Sequence, residues 1–270
     1  MELNNKTIVI TGAARGIGAA MAKRFKAEGA NLILSDLNLE AVNKKAEAIG
    51  ELGFKCDVTK EADIQDLVSF ANEKYGTVDM FVSNAGICFG EGEHSASASN
   101  QDWQTCWDVH VMSHVYAARA VLPSMIERGS GYLVQMASAA GLLSQIGDAA
   151  YSTTKHAAVG FAESLSITHG KQGIKVSVIC PQYVATNMTG YKDNTKSKNP
   201  SVITPEEVAE TVLQGVIKEQ FLILPHAEVE EFMKHKTADY DRWLGGMRKL
   251  RSNIIEAAGS TNLKDMHKLF

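Results

Sequence analysis

The sequence contains no apolar run approaching the roughly 20 residues of a membrane-spanning helix. No composition break, internal repeat or low-complexity tract divides its 270 residues. A basic excess is missing too. With 27 Lys and Arg against 31 Asp and Glu, the net charge of −4 supplies no field for nucleic acid. The cysteines Cys56, Cys88, Cys106 and Cys180 are scattered and form no CxxC pair. That pattern argues against a disulfide framework and a zinc site, and for reduced thiols in a cytoplasmic protein. No signal peptide is visible, and the chain is expected to enter a strand by about Lys6. What is present is a 45% apolar fraction, enough for a large core. The length suits one α/β domain or two small ones, and without a break a single domain over residues 1–270 is expected.

The densest chemistry lies in Gly147 to His156, GDAAYSTTKH. Tyr151 and Lys155 are one helical turn apart and share a face. An ammonium group beside a phenol favours phenolate, so the tyrosine pKa is expected to fall from about 10. Ser138 follows the apolar run LVQMA and can donate a hydrogen bond to a substrate oxygen. Near the start, the β-branched run KTIVIT reads as a buried strand. It feeds Thr11 to Gly18 (TGAARGIG) and then a helix carrying Ile17, Met21, Ala22 and Phe25. Strand, glycine turn and helix form the context of a dinucleotide site. Gly12 permits the tight turn. Gly16 and Gly18 let backbone and pyrophosphate approach at a helix N-terminus.

The spacing G-x-x-x-G-x-G, with Ser138, Tyr151 and Lys155, resembles the short-chain dehydrogenase/reductase family. The resemblance spans about Lys6 to Leu224. It implies a Rossmann-like, doubly wound, seven-stranded parallel sheet with helices on both faces. It also implies reversible hydride transfer between NAD and a secondary alcohol or ketone. Ser138 would polarise the oxygen and Tyr151 would carry the proton. Lys155 would tune the tyrosine and hold the nicotinamide ribose.

Asp36 ends the second strand, Asn31 to Asp36. An acid there accepts hydrogen bonds from ribose hydroxyls and repels a 2′-phosphate, which favours NAD. Arg15 is the counter-signal for NADP, and Asp36 could instead cap the helix from Leu39 to Ile49. A short strand at Phe54 to Cys56 leads to Asp57-Val58, which resembles the family's adenine-contacting pair. Ser83-Asn84-Ala85-Gly86 resembles its NNAG motif with the first Asn replaced. Pro181 to Thr186 (PQYVAT) resembles its PGxVxT nicotinamide loop, with Gln182 in place of glycine. Val184 and Thr186 keep their places there, and Thr186 could bond the carboxamide.

The sharpest departure is His110, which aligns with the family's asparagine in the helix read over Asp102 to Met125. Its imidazole could hold the same water near Lys155, titrate near neutrality, or simply pack locally. Pro123 could bend or end that helix. Substrate-lining candidates are Ser138, Cys88, Phe89, Leu142, Leu143, Gln182, Tyr183 and Met188, and they suggest a mostly apolar alcohol. Tyr191 to Ser201 reads as a polar, mobile loop over the site. Residues 225–270 form a helical extension with Tyr240, Trp243, Leu244, Met247, Leu250 and Ile254 at helical spacing. It packs on its own domain or a partner, or closes the pocket. The family's pairing helices, around Trp107 and Phe161, imply a homodimer or homotetramer. Two other classes remain: a non-catalytic NAD sensor, and a lyase reusing Ser138 and Tyr151 without NAD.

Overall fold

The computed structural model describes residues 1–192, 196–266 and 269. Strand β1 (Thr7–Thr11) is buried at every residue, as a parallel strand covered on both faces must be. Its alternation divides the core. Ile8 and Ile10 join one apolar cluster and Val9 the other. Each fully buried aliphatic side chain of this kind contributes about 1.5–3 kcal/mol.

In chain order there follow α1 (Gly16–Ala27), β2 (Asn31–Asp36), α2 (Leu39–Glu47), β3 (Leu52–Lys55) and α3 (Glu61–Tyr75). Next are β4 (Met80–Ser83), α4 (Asn100–Trp107), a π-helical turn (Asp108–Met112), α5 (Ser113–Glu127) and β5 (Gly131–Met136). Then come α6 (Ala149–His169), β6 (Ile174–Ile179), β7 (Tyr183–Val184), β8 (Val202–Ile203), α7 (Pro205–Ile217) and β9 (Leu222–Ile223). The chain closes with α8 (Glu228–Ala238), α9 (Tyr240–Ala258) and α10 (Leu263–Met266).

The main sheet is seven-stranded in the order β3-β2-β1-β4-β5-β6-β9, and every pair is parallel. Strand order reverses between β1 and β4, so a crevice opens beyond their carboxyl ends. Helices α1 and α7 pack together over one face, while α3, α5 and α6 cover the other. Helix α7 starts on a capping box, Thr204 with Glu207, followed by Pro205. Such a cap is worth about 1 kcal/mol.

Four local expectations change. Strand β3 starts earlier, at Leu52. The buried Glu51 before it accepts the Leu32 N–H at 3.0 Å and the Tyr75 hydroxyl at 2.9 Å, which draws this edge strand against β2. Strand β5 ends at Met136, and Ser138 opens a short 3-10 turn rather than closing the strand. The long helix is interrupted by the π turn, whereas Pro123 lies inside α5 without ending it. The 191–201 loop is bounded at its base by the β7–β8 pair, which the sequence pattern did not suggest. Its centre, 193–195, lies outside the described residues. No described helix is long and apolar enough to cross a membrane.

Candidate active site

The glycine turn is built by close backbone approach. Gly12 has φ +63°, and a Cβ there would lie 2.8 Å from the Ala85 Cα. Gly16 has φ +55° and faces the Thr186 methyl, so the loop after β6 lies over the turn. Gly18 does different work from the phosphate approach expected of it. A Cβ there would collide with the Gly12 carbonyl oxygen and lie 2.6 Å from the Asn84 amide nitrogen. That amide donates to the carbonyls of Thr11 (2.8 Å) and Gly12 (3.1 Å). The Thr11 hydroxyl oxygen in turn accepts the N–H groups of Asn84 and Ala85.

Arg15 is exposed at the N-cap position of α1 and makes no side-chain cap, and the first turn holds no acid. A helix start with N–H groups left this way suits an anionic pyrophosphate. Ile17 is half-buried against the core. Asp36 accepts the Ala14 N–H and the Asn38 N–H, each at 3.2 Å, so its carboxylate stands at the edge of the turn. Asn38, not Asp36, caps α2. Burial raises the Asp57 carboxyl, but hydrogen bonds from Thr59 and the nearby Lys60 outweigh it and hold it below its usual range. Val58 is half-buried beside it. These residues fit a nicotinamide dinucleotide.

Ser138, Tyr151 and Lys155 converge at the carboxyl end of β5. The Ser138 hydroxyl accepts the Ala140 N–H at 3.1 Å and donates to the Pro181 carbonyl at 3.4 Å. Lys155 is 2% exposed and its Nζ donates to the Met136 carbonyl at 2.9 Å. That nitrogen lies 5.5 Å from the centre of the Tyr151 ring. Burial pulls the ammonium down to about 8, with Cys180 and Cys106 opposing. The expected fall in the tyrosine pKa is not found. Burial raises the phenol, and the opposing influence is the nearby Ser138 hydroxyl rather than Lys155.

Sequence reasoning passed over Asp148. This buried carboxylate caps α6 by accepting the Tyr151 N–H at 2.9 Å. Its other oxygen accepts the N–H groups of Gly90 (2.8 Å) and Phe89 (3.3 Å), fixing the loop after β4 to the helix of Tyr151. An Asp three residues before Tyr151 at a helix start is an N-cap signal that could have found it. His226 was also passed over. Its Nδ1 accepts the Gln182 N–H and its Nε2–H donates to the Tyr183 carbonyl, both at 3.1 Å.

A cavity of about 270 Å³ is lined by Leu143, Gln182 and Tyr183 together with α8, α9 and α10. Phe89 and Met188 do not line it, and Phe89 is 51% exposed. Nor do Ser138, Tyr151 and Lys155, although two of its walls lead away from them.

The short chain dehydrogenase family model matches residues 6–197. The chain belongs to the short chain dehydrogenase family. It is 35% identical over 266 residues to oxidoreductase UcpA of Escherichia coli strain K12, covering 96% of each chain. It is 33% identical over 223 residues to the meso-2,3-butanediol dehydrogenase of Serratia marcescens, covering 77% of this chain and 86% of that one. Among solved structures, a short chain dehydrogenase/reductase from Burkholderia phymatum in complex with NAD superposes with a TM-score of 0.81. It is 25% identical and covers 89% of this chain and 96% of its own.

In this family member the π turn brings two histidines under Lys155. His110 is fully buried and both ring nitrogens are engaged: Nε2 accepts the Ile87 N–H at 3.1 Å, and Nδ1 meets the Thr154 hydroxyl at 2.9 Å. The Thr154 hydroxyl donates within α6, so Nδ1 carries the proton. No ring atom is left for the water expected of His110, and the side chain instead ties Ile87 to α6. A side chain at Gly86 would project 3.7 Å from both His110 Nε2 and Lys155 Nζ. His114 bonds Gln135 at 3.0 Å, and its Nε2 has no partner among the described residues.

Burial first, then the charge of Lys155 and the neighbouring His114, hold His110 well below 6.5. Burial and Lys155 bring His114 down to about 3. The expected near-neutral titration of His110 is therefore absent. The unfolded chain binds protons near pH 6.5 that the folded chain refuses, so stability falls as pH drops below that value. Each histidine contributes a slope of up to about 1.4 kcal/mol per pH unit. His114→Gln should remove one share of that slope between pH 7 and pH 5, read by urea unfolding. An unchanged slope would show that His114 is charged in the folded chain.

Proposed function

We propose that this oxidoreductase transfers a hydride reversibly between NAD and a largely apolar secondary alcohol or ketone. The observation that carries this reading is the convergence of Ser138, Tyr151 and buried Lys155, whose Nζ lies 5.5 Å from the centre of the Tyr151 ring, at the sheet end that also bears the glycine turn. Similarity to a meso-2,3-butanediol dehydrogenase supports a secondary alcohol. When bound, NAD supplies the hydride acceptor in oxidation and, reduced, the donor in reduction.

The chain's own residues do the rest. Gly12, Arg15, Gly16 and Ile17 hold the phosphates with backbone and helix end, and Gly18 leaves room for the Asn84 bridge beneath them. Asp36 takes the adenosine ribose, and Asp57 and Val58 border the adenine. Asn84, Ala85 and Gly86 line the floor. Pro181, Val184 and Thr186 cover the nicotinamide. Ser138 holds the substrate oxygen. Tyr151 takes the hydroxyl proton in oxidation and returns it in reduction. Its raised pKa keeps the phenol loaded at neutral pH with the proton that reduction consumes, and oxidation runs through the phenolate, which higher pH favours. Lys155 holds the nicotinamide ribose. His110 positions the Ile87 turn against α6. No observation favours a non-catalytic sensor or an NAD-independent lyase.

Tyr151→Phe removes only the proton-carrying oxygen, so turnover should fall at least 100-fold with an unchanged melting temperature. A smaller loss in NADH-linked assays would move the proton step elsewhere.

Asp36 should make kcat/KM higher with NAD than with NADP, since its carboxylate occupies the place of a 2′-phosphate. Asp36→Ser should narrow the ratio. Equal or better use of NADP by the unaltered protein would assign control to Arg15.

Trp107, exposed on α4, and the half-buried Phe161 on α6 support pairing of two copies through these helices. Sedimentation at micromolar concentration should show a dimer or tetramer, and a 29.2 kDa species alone would exclude it. The free cysteines, three of them buried, agree with a reducing cytoplasm.

A further inference from the structure

The cavity of about 270 Å³ has three walls. The first runs from Leu143 to Ile146, in the loop that starts at Ser138. The second is Gln182 and Tyr183, directly after Pro181. The third comes from the C-terminal helices, chiefly Trp243, Met247, Ile254 and Met266. The first two walls are joined to the catalytic residues. The Leu143 N–H donates to the Ala139 carbonyl, and the Ala139 N–H donates to the Pro181 carbonyl, both at 2.8 Å. The Gln145 N–H donates at 2.6 Å to the hydroxyl of Ser152, the residue after Tyr151.

Lys236 fastens the third wall to the first. It lies on α8 and is 7% exposed. Its Nζ donates to the carbonyls of Leu142 (2.8 Å) and Leu143 (2.9 Å). It also lies 4.9 Å from the centre of the Trp243 ring and 5.4 Å from that of Tyr240. Burying an ammonium is costly unless it is paired and bonded. Two carbonyls and two ring faces offset that cost here, and they do so only while α8, α9 and the loop after Ser138 are together.

We propose that this cavity seats the apolar part of a medium-length linear ketone or secondary alcohol, and that Lys236 is the positioning residue that builds it. The inference rests on the proposed oxidoreductase activity. The lining is apolar apart from a corner at Ser144, Gln145, Gln182 and Tyr183, and His235. At roughly 30 Å³ per water-sized group, the space holds on the order of eight to ten carbon-sized groups. A two-carbon or four-carbon alcohol would leave most of it unfilled.

The test uses the full chain with NADH and linear 2-ketones from butanone to decanone. For the unaltered protein, kcat/KM should rise at least tenfold from butanone to octanone. Lys236→Met keeps the stem and removes the ammonium. Its loss should grow with chain length, at least tenfold at octanone and under threefold at butanone, and fall on KM rather than kcat. Lys236→Arg should recover part of the loss. Trp243→Ala enlarges the cavity and should move the optimum to longer ketones, a test that survives if Lys236→Met does not fold. A flat chain-length profile, or an equal loss at every length, overturns the proposal. If no ketone is reduced, the activity reading fails by itself and the cavity is read by binding. Tryptophan fluorescence with 2-octanone should then change saturably in the unaltered protein and not in Trp243→Phe; no saturable change overturns the proposal.

Discussion

A parallel sheet that reverses strand order between β1 and β4 must be closed at the floor of the resulting crevice without filling its mouth. Asn84 does this by donating to two consecutive carbonyls of the neighbouring strand end, Thr11 and Gly12. The bridge requires that nothing project from Gly18, where a Cβ would meet both the Gly12 oxygen and the Asn84 amide. With the turn held so tightly, the Ala13 N–H reaches the Ser35 carbonyl and the Ala14 N–H reaches Asp36. The position of Asp36 at the edge of the turn thus follows from this packing constraint. Each bond is worth about 1 kcal/mol net, yet an unmet buried carbonyl would cost more than that, which makes the joint cooperative.

Lys155 imposes the second constraint. An ammonium 2% exposed raises the free energy of every nearby cation and lowers that of every nearby anion. The groups packed around it are neutral or polar: the Met136 carbonyl, Tyr151, His110 and His114. His110 in the π turn and His114 four residues on in α5 share a helix face, and both are buried. A charged histidine there would repel Lys155, and burial removes that charge. The surroundings that lower Lys155 raise the Tyr151 phenol above its usual range.

The layout of the sheet was readable because β1, β2, β4, β5 and β6 are short apolar runs separated by helices with clear phase. The glycine turn, Asp36, Asn84, Ser138, Tyr151 and Lys155 were readable because each is a residue type with a distinctive backbone or charge at a set spacing. The direction of the tyrosine shift was not, since desolvation depends on burial that one helix turn cannot reveal. His110 was misjudged for a related reason. Its sequence position marks it as unusual, but only the fold shows Ile87 on one nitrogen and Thr154 on the other. His226 and Lys236 bond backbone groups distant in the chain, a kind of contact with no local periodicity, and so does the second oxygen of Asp148, whose cap on α6 is its only local signal.

Those three residues share a logic that bears on specificity. Asp148 binds the N–H groups of Phe89 and Gly90, His226 the backbone of Gln182 and Tyr183, and Lys236 the carbonyls of Leu142 and Leu143. Each substrate-side loop is therefore held through its main chain by a side chain from another element. Backbone groups are the same whatever residue occupies the loop. The hold does not depend on which side chains the loops carry. Two of the three anchors, His226 and Lys236, lie beyond β9. The part of the chain past the last sheet strand thus fixes, through main-chain contacts, the loops that follow Ser138 and Pro181.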